Sequence, residues 1–262
     1  MAPDDLPSTY VVGDVHGELD KLHRVLGASG LIAPEGRWSG GRSTLVFIGD
    51  FFDRGPDGVG CVELAMRLQD QARDAGGQVT ALLGNHDVLI VSALRFGGGF
   101  LISWLRNGGR ESDLARLRNT HVDWLLSLPA MVTLGDRLYA HADSCFYCDF
   151  GSTVDEVNRS VRALLKGDRE RDWDHLLDLF SLRHEFDASA RDGEQRARTF
   201  LDWYGVRQLI HGHTPIDKVT GQPPETVRQA LVYAGGRCVN VDGGMYRGGP
   251  GFVYQVPSGS PG

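Results

Sequence analysis

The chain has 262 residues, 41% of them hydrophobic, which is enough for a sizeable core and excludes a disordered, collagen-like or coiled-coil chain. Its 27 basic residues face 34 acidic ones, a formal net charge of -7, so the whole-molecule field repels polyanions and nucleic acid is disfavoured as the main partner. Only three of the 27 are lysine (Lys21, Lys166 and Lys218), and the rest are arginine, whose planar fork suits phosphate and carboxylate.

From Met1 to Tyr10 the chain carries two acids and two prolines, with neither a basic nor an apolar region, so no secretory signal is expected. A first strand is expected over residues 10–12, running into Gly13-Asp14-Val15-His16-Gly17. A helix over 18–26 places Leu19, Leu22, Val25 and Leu26 on one face. A second strand, 44–48, ends at Gly49-Asp50-Phe51-Phe52-Asp53-Arg54-Gly55 and is followed by a helix over 59–75. A third, 78–83, ends at Gly84-Asn85-His86-Asp87. Residues 95–129, with Trp104, Asn107-Gly108-Gly109 and a helix over 121–128, interrupt this rhythm and read as a cap facing the substrate.

A fourth strand, 138–140, runs into His141-Ala142-Asp143. Thr153 and Glu156 form a capping box that starts a helix reaching Leu165, and further helices are expected over 173–180 and 195–203. A fifth strand, 206–210, stops at His211-Gly212-His213-Thr214-Pro215, and two more are expected over 237–241 and 252–256, before a Gly/Pro/Ser tail. Strands alternating with helices give an α/β architecture of parallel units, read as one domain over 1–262. No apolar run approaches the roughly 20 residues of a membrane span, and Cys61, Cys145, Cys148 and Cys238 are expected to be reduced thiols in a cytoplasmic protein.

The polar residues fall at the strand ends. In an open α/β sheet ligands bind outside the carboxyl ends of the strands, and five such ends deliver Asp14, His16, Asp50, Asn85, His141 and His213. Taken singly, Asp14-Val15-His16 could be a capped turn, Asn85 a turn residue and His213 a loop histidine. Five such coincidences at successive strand ends are not what turn chemistry produces. Oxygen and imidazole donors without thiolate suit Mn, Fe, Zn or Co, and six donors exceed what one catalytic ion needs while serving two ions bridged by a carboxylate. His211, one residue from His213, is expected to point away from it into the core.

The run GDVHG at 13, GDFFDRG at 49, GNHD at 84, a single His141 and GHTP at 212 resembles the phosphoprotein phosphatase family of the calcineurin-like metallophosphoesterase superfamily, in its bacterial-type or bacterial-like branch, from about residue 10 to 256. The resemblance implies a β-sandwich of mixed sheets flanked by helices, with two divalent ions, manganese first among them, at the strand ends. It implies that Asp14 and His16 hold one ion, that Asp50 bridges, and that Asn85, His141 and His213 hold the other. His86 would be the general acid oriented by Asp53, and Arg54 would bind the phosphate. Arg183 is expected as a second phosphate ligand, with Arg191 as its alternate and Arg106 and Arg110 as weaker candidates at the cap.

Relatives commonly have glutamate at the place of Asp87 and glycine at the place of Asp143, so both positions depart from the pattern. Cys145 and Cys148 form a C-x-x-C after a metal-ligand position and are read as structural thiols. The expected activity is hydrolysis of phosphoserine/threonine or phosphotyrosine in proteins by a metal-bridging hydroxide, without a phosphoenzyme. A bis(5'-nucleosyl)-tetraphosphatase acting on small phosphates is the alternative, with Trp104, Phe96, Phe100 and Phe146 available to stack on a base. A non-catalytic phosphate-binding scaffold is the remote one.

Overall fold

A computed structural model describes residues 8–258, so most of the amino-terminal stretch read above and the end of the tail lie outside the described residues. Two sheets form its centre. The first holds β1 (Thr9–Val12), β2 (Thr44–Phe47), β3 (Gln78–Ala81) and β9 (Tyr254–Gln255) in the order β3-β2-β1-β9. The second holds β4 (Met131–Leu134), β5 (Arg137–Ala140), β6 (Gln208–His211), β7 (Leu231–Tyr233) and β8 (Cys238–Asn240) in the order β4-β5-β6-β8-β7.

The inner pairs β1·β2, β2·β3, β5·β6 and β6·β8 are parallel, whereas β9, β4 and β7 close the edges antiparallel, so the sheets are mixed. The hairpins explain the two strands that the pattern reading missed. β4 and β5 are joined through Gly135, and β7 and β8 through Ala234 and Gly235, all in the left-handed region that tight turns require.

Side-chain alternation shows why the inner strands read as unbroken apolar runs. Val11, Val46, Tyr139, Ile210 and Val239 pack together in a layer between the sheets. Their neighbours Val12, Leu45, Phe47, Leu138 and Leu209 turn outward onto the helices. Those helices include α1 (Leu19–Ala28), α2 (Gly58–Asp74), α6 (Asn119–Ser127), α7 (Val154–Lys166), α8 (Glu170–Phe180) and α9 (Gly193–Trp203), each within a few residues of its expected span. α7 begins with one half of the expected capping box: the Thr153 hydroxyl accepts from the Glu156 amide at 3.2 Å, whereas the Glu156 carboxylate accepts from the amide and hydroxyl of Ser152 at 2.9 and 2.8 Å.

The helix α3 (Asn85–Phe96) was not foreseen. Nine of its residues are buried, so it shows no amphipathic stripe, and Val88-Leu89-Ile90-Val91 favours a strand by composition. Residues 95–129 continue it with α4 (Gly98–Arg106) and α5 (Glu111–Arg116).

Candidate metal centre

The carboxyl ends of β1, β2, β3, β5 and β6 converge, and Asp14, His16, Asp50, Asn85, His141 and His213 are all buried there. His16 donates from Nδ1 to the Phe52 carbonyl at 2.8 Å, and His141 from Nδ1 to the Ile48 carbonyl at 3.0 Å. These bonds fix both ring orientations and turn both Nε2 atoms inward. The same oxygen, Asp50 Oδ2, lies 3.6 Å from His16 Nε2 and 3.4 Å from His141 Nε2. Asn85 Oδ1 and His213 Nδ1 each stand 3.0 Å from His141 Nε2, while the His213 Nε2 proton is directed at the Ser181 carbonyl at 3.4 Å.

Two triads of donor atoms, His16-Asp50-His86 and Asp50-His141-His213, each lie close enough to hold an ion and share Asp50; the first includes His86 rather than the expected ligand Asp14, whose Oδ2 stands 3.9 Å from His16 Nε2. Backbone geometry is bent to achieve this. His16, Asp50, Asp53, Arg54 and His213 all have positive φ, between 45° and 71°, a conformation costing a non-glycine residue of order 1–3 kcal/mol. Gly84 and Gly212 make room: a Cβ on Gly84 would overlap Asp50 Oδ1, and one on Gly212 would overlap Asp14 Oδ1.

His86, at the amino end of α3, places Nδ1 2.6 Å from Asp53 Oδ2, and the other Asp53 oxygen accepts from the Trp104 indole at 2.6 Å. The Arg54 guanidinium spans the two imidazoles, 2.8 Å from His16 Nε2 and 2.8 Å from His86 Nε2. The cap holds Arg54 by its backbone: the Arg54 amide donates to the Gly108 carbonyl at 2.7 Å, and the Arg110 guanidinium donates to the Arg54 carbonyl at 2.7 Å.

The electrostatics are those of a cation site. Burial and the nearby Asp242 push the Asp14 carboxyl well above its ordinary range. Burial also raises Asp50, but His141, His86 and His16 around it outweigh that and hold it well below the ordinary carboxylate range. Burial lowers His141, yet Asp50 and Asp14 outweigh it and lift the imidazole to about 9. His16 is pushed well below the usual imidazole value by burial and by His86, and His213 by burial and by His141. Three buried carboxylates, Asp14, Asp50 and Asp242, thus stand close enough to repel one another, and Asp242 Oδ2 has no hydrogen-bond partner among the described residues. Buried negative charge of this kind needs cations.

Of the arginine candidates, Arg183 lies close enough to depress His213 electrostatically, whereas Arg191 has a side chain 98% exposed and faces Asp192. Arg110 is engaged with the Arg54 carbonyl, and Arg106 is exposed at the end of α4. His211 points away from His213, as alternation requires, with Nε2 2.7 Å from the Tyr233 hydroxyl.

The departure at Asp143 has a structural reason: Oδ1 accepts from the His184 amide at 3.1 Å and Oδ2 from Tyr233 at 3.1 Å, tying the loop after β5 to the loop that carries Arg183. Asp87 accepts from the amides of Asp50, Phe51 and Gly84, bracing the loop that holds Asp50. All four cysteines are free thiols, and burial and Glu185 push Cys145 up to about 11, so it is a poor nucleophile.

Sequence reasoning missed three residues. Trp104 was noted without its partner Asp53. Asp242 follows β8 with the same strand-end pattern, Val241-Asp242-Gly243, that singled out Asp14 and Asp50. Tyr246 carries no sequence signal, yet the Arg54 guanidinium lies 4.2 Å from its ring centre and its ring meets His16 edge-on.

The chain belongs to the calcineurin-like phosphoesterase family, whose model matches residues 7–217. Its relatives fall on the phosphoprotein phosphatase side of that family, in the bacterial-like branch. Shewanella-like protein phosphatase 1 of Plasmodium berghei is 36% identical over 217 residues, which cover 78% of this chain and 60% of that protein. A symmetrical bis(5'-nucleosyl)-tetraphosphatase of Janthinobacterium is 27% identical over 160 residues, covering 61% of this chain and 52% of that one. Among solved structures, the cold-active protein-tyrosine phosphatase of a Shewanella species superposes with a TM-score of 0.75 at 25% identity, over 95% of this chain and 74% of that one. The chain spans between 20% and 60% of the lengths of curated relatives such as Shewanella-like protein phosphatase 2 of Arabidopsis thaliana and the Plasmodium protein. Among the described residues no helix is long and apolar enough to cross a membrane.

Proposed function

We propose that this protein is a dinuclear, metal-dependent phosphomonoesterase that acts on phosphoproteins, at serine/threonine, tyrosine or both. The observation that carries the reading is the position of Asp50 Oδ2 between the inward-facing Nε2 atoms of His16 and His141. One carboxylate oxygen flanked by imidazoles from two sides is the arrangement a pair of bridged cations uses. Donor chemistry fits as well: oxygen and nitrogen ligands without thiolate suit manganese, iron, zinc or cobalt, and manganese is the ion to test first.

In this reading Asp14 and His16 would hold the first ion, Asp50 would be shared by both, and Asn85, His141 and His213 would hold the second. The ions when bound supply Lewis acidity and a water of lowered pKa as the nucleophile. Arg54 leaves the two imidazoles to pair with phosphoryl oxygens, and Arg183 approaches from the loop tied by Asp143; planar guanidinium groups suit this bidentate contact. His86 delivers a proton from Nε2 to the departing oxygen as the phosphorus–oxygen bond breaks, while Asp53 keeps the ring oriented through Nδ1. Residues from both sheets and from the cap meet at this one centre, which supports reading the described chain as one functional unit.

The test is phosphate release from para-nitrophenyl phosphate with added manganese, abolished by a chelator. Rates on phosphopeptides and on diadenosine tetraphosphate then separate the protein phosphatase from the tetraphosphatase reading. A higher kcat/KM on the dinucleotide would overturn the proposal. A protein that binds metal and phosphate but releases none would be the scaffold.

A further inference from the structure

A cleft of about 470 Å³ opens beside the candidate metal centre, between α3 and α4 on one side and α8 on the other. Its inner end is formed by Asn85 and Ser181. The Ser181 carbonyl is within 3.4 Å of His213 Nε2, so the cleft is continuous with the centre. Asn85 is 7% exposed, its Oδ1 is engaged by His141, and its Nδ2 has no hydrogen-bond partner among the described residues. A buried amide thus presents free N–H groups where the cleft begins.

The apolar part of the lining is Leu89, Phe100 and Leu177, and α8 adds Glu170, Asp174 and Asp178. Their spacing of four residues puts the three carboxylates on one face of the helix, about 6 Å apart. Their side chains make no ion pair among the described residues, although Asp172 on the same helix is paired with Arg169. Arg171 is the one cation in the lining, so negative charge dominates.

Helix geometry orders the carboxylates outward from the centre. Ser181 caps α8, so Asp178, Asp174 and Glu170 stand about 4.5, 10.5 and 16.5 Å from it along the axis. An extended peptide advances about 3.3–3.6 Å per residue, so the three positions match side chains one to five residues from the one at the centre. The site is thus bipolar, with arginines at the phosphate end and carboxylates along the flank. A dinucleoside polyphosphate, negative along its linker and uncharged at its bases, brings no cation to this flank.

We propose that this cleft binds the segment flanking the phosphorylated residue, and that Glu170, Asp174 and Asp178 select phosphoproteins with arginine or lysine within about five residues of the phosphate. The proposal rests on the protein phosphatase reading above and narrows its substrate class. Exposed charge pairs are individually weak, so each carboxylate contributes about a two- to fivefold preference, and the sum falls with ionic strength.

The experiment compares the manganese-loaded wild type with the triple variant Glu170→Gln, Asp174→Asn, Asp178→Asn on three substrates: a phosphopeptide with arginine flanks, its glutamine-flanked counterpart and para-nitrophenyl phosphate. The wild type is expected to favour the arginine-flanked peptide by roughly tenfold or more in kcat/KM at low salt, and less at high salt. The triple variant is expected to lose that preference and keep its rate on the small aryl ester, which is too short to reach α8. A second variant, Asp174→Lys with Asp178→Lys, is expected to turn the preference toward glutamate flanks. Equal rates on the two peptides by the wild type, or a preference that survives in the triple variant, would overturn the subsite while para-nitrophenyl phosphate turnover left the phosphatase reading standing. Absence of aryl phosphate turnover with bound metal would overturn both.

Discussion

Replacing Asp53 by asparagine exchanges one oxygen for an amino group at the point where the cap meets the proposed general acid. Asp53 uses one oxygen to accept from the Trp104 indole and the other to accept from His86 Nδ1. Indole nitrogen is a donor only, so the asparagine carbonyl must stay with Trp104 and its NH2 must turn to His86. The ring can then accept at Nδ1 only by giving up the proton there. A charge-assisted hydrogen bond of about 1.5–3 kcal/mol is forfeited, and because a neutral imidazole with its proton on Nε2 is a far weaker acid than an imidazolium, the expected fall in kcat on a phosphoserine peptide is about 10²–10³-fold.

The leaving group discriminates causes. An aryl phosphate needs little protonation as it departs, so the Asp53→Asn variant is expected to lose less than about tenfold on para-nitrophenyl phosphate. Stability has its own sign. Burial raises the Asp53 carboxyl above its ordinary range in the folded protein, so its ionised form opposes folding at neutral pH, and removing the charge should leave Tm unchanged or higher. The assays are steady-state kinetics on both esters, elemental analysis and thermal unfolding. Equal losses on the two substrates, or loss of bound metal, would refute the assignment of His86 and Asp53 as the acid and its orienting partner.

Asp50→Asn is expected to weaken binding of both ions by about a hundredfold or more, read by elemental analysis after dialysis, and two retained equivalents would exclude a bridging role. Metal affinity is expected to rise with pH by about tenfold per unit until it levels near the His141 value of about 9, because the imidazole must lose a proton to become a ligand; metal titrations in weakly buffered solution should show that proton released. Gly84→Ala drives a methyl group into Asp50, and is expected to cost about 1–3 kcal/mol, lowering Tm by about 3 to 9 °C together with metal content, whereas Gly30→Ala, with open space around it, is strained only by its own φ.

The sequence by itself determined what is local. Parallel strands buried on both faces must be apolar throughout, so their abrupt ends at Asp14, Asp50, Asn85, His141 and His213 were legible, and ligand chemistry followed from residue type. The amphipathic helices were legible for the same reason, since one face of each meets water. Where burial is complete the pattern vanishes, which is why α3 was not foreseen although it presents Asn85 and His86. The mixed edges of the sheets depended on hairpin turns at Gly135 and Gly235, and tertiary pairing selected those strands.

Everything that joins distant parts of the chain was decided by the tertiary structure. The second oxygen of Asp53 meets an indole 51 residues away, the Arg54 carbonyl meets Arg110, and Asp143 ties the Arg183 loop to β5. The sequence supplies the donors and acceptors, but pairing them requires the chain closure that only packing enforces. The acidic face of α8 becomes the wall of a cleft only because α3 and α4 pack opposite it. Spacing could name the donor atoms, whereas only the folded backbone, with its left-handed His16, Asp50 and His213, could turn them toward one point.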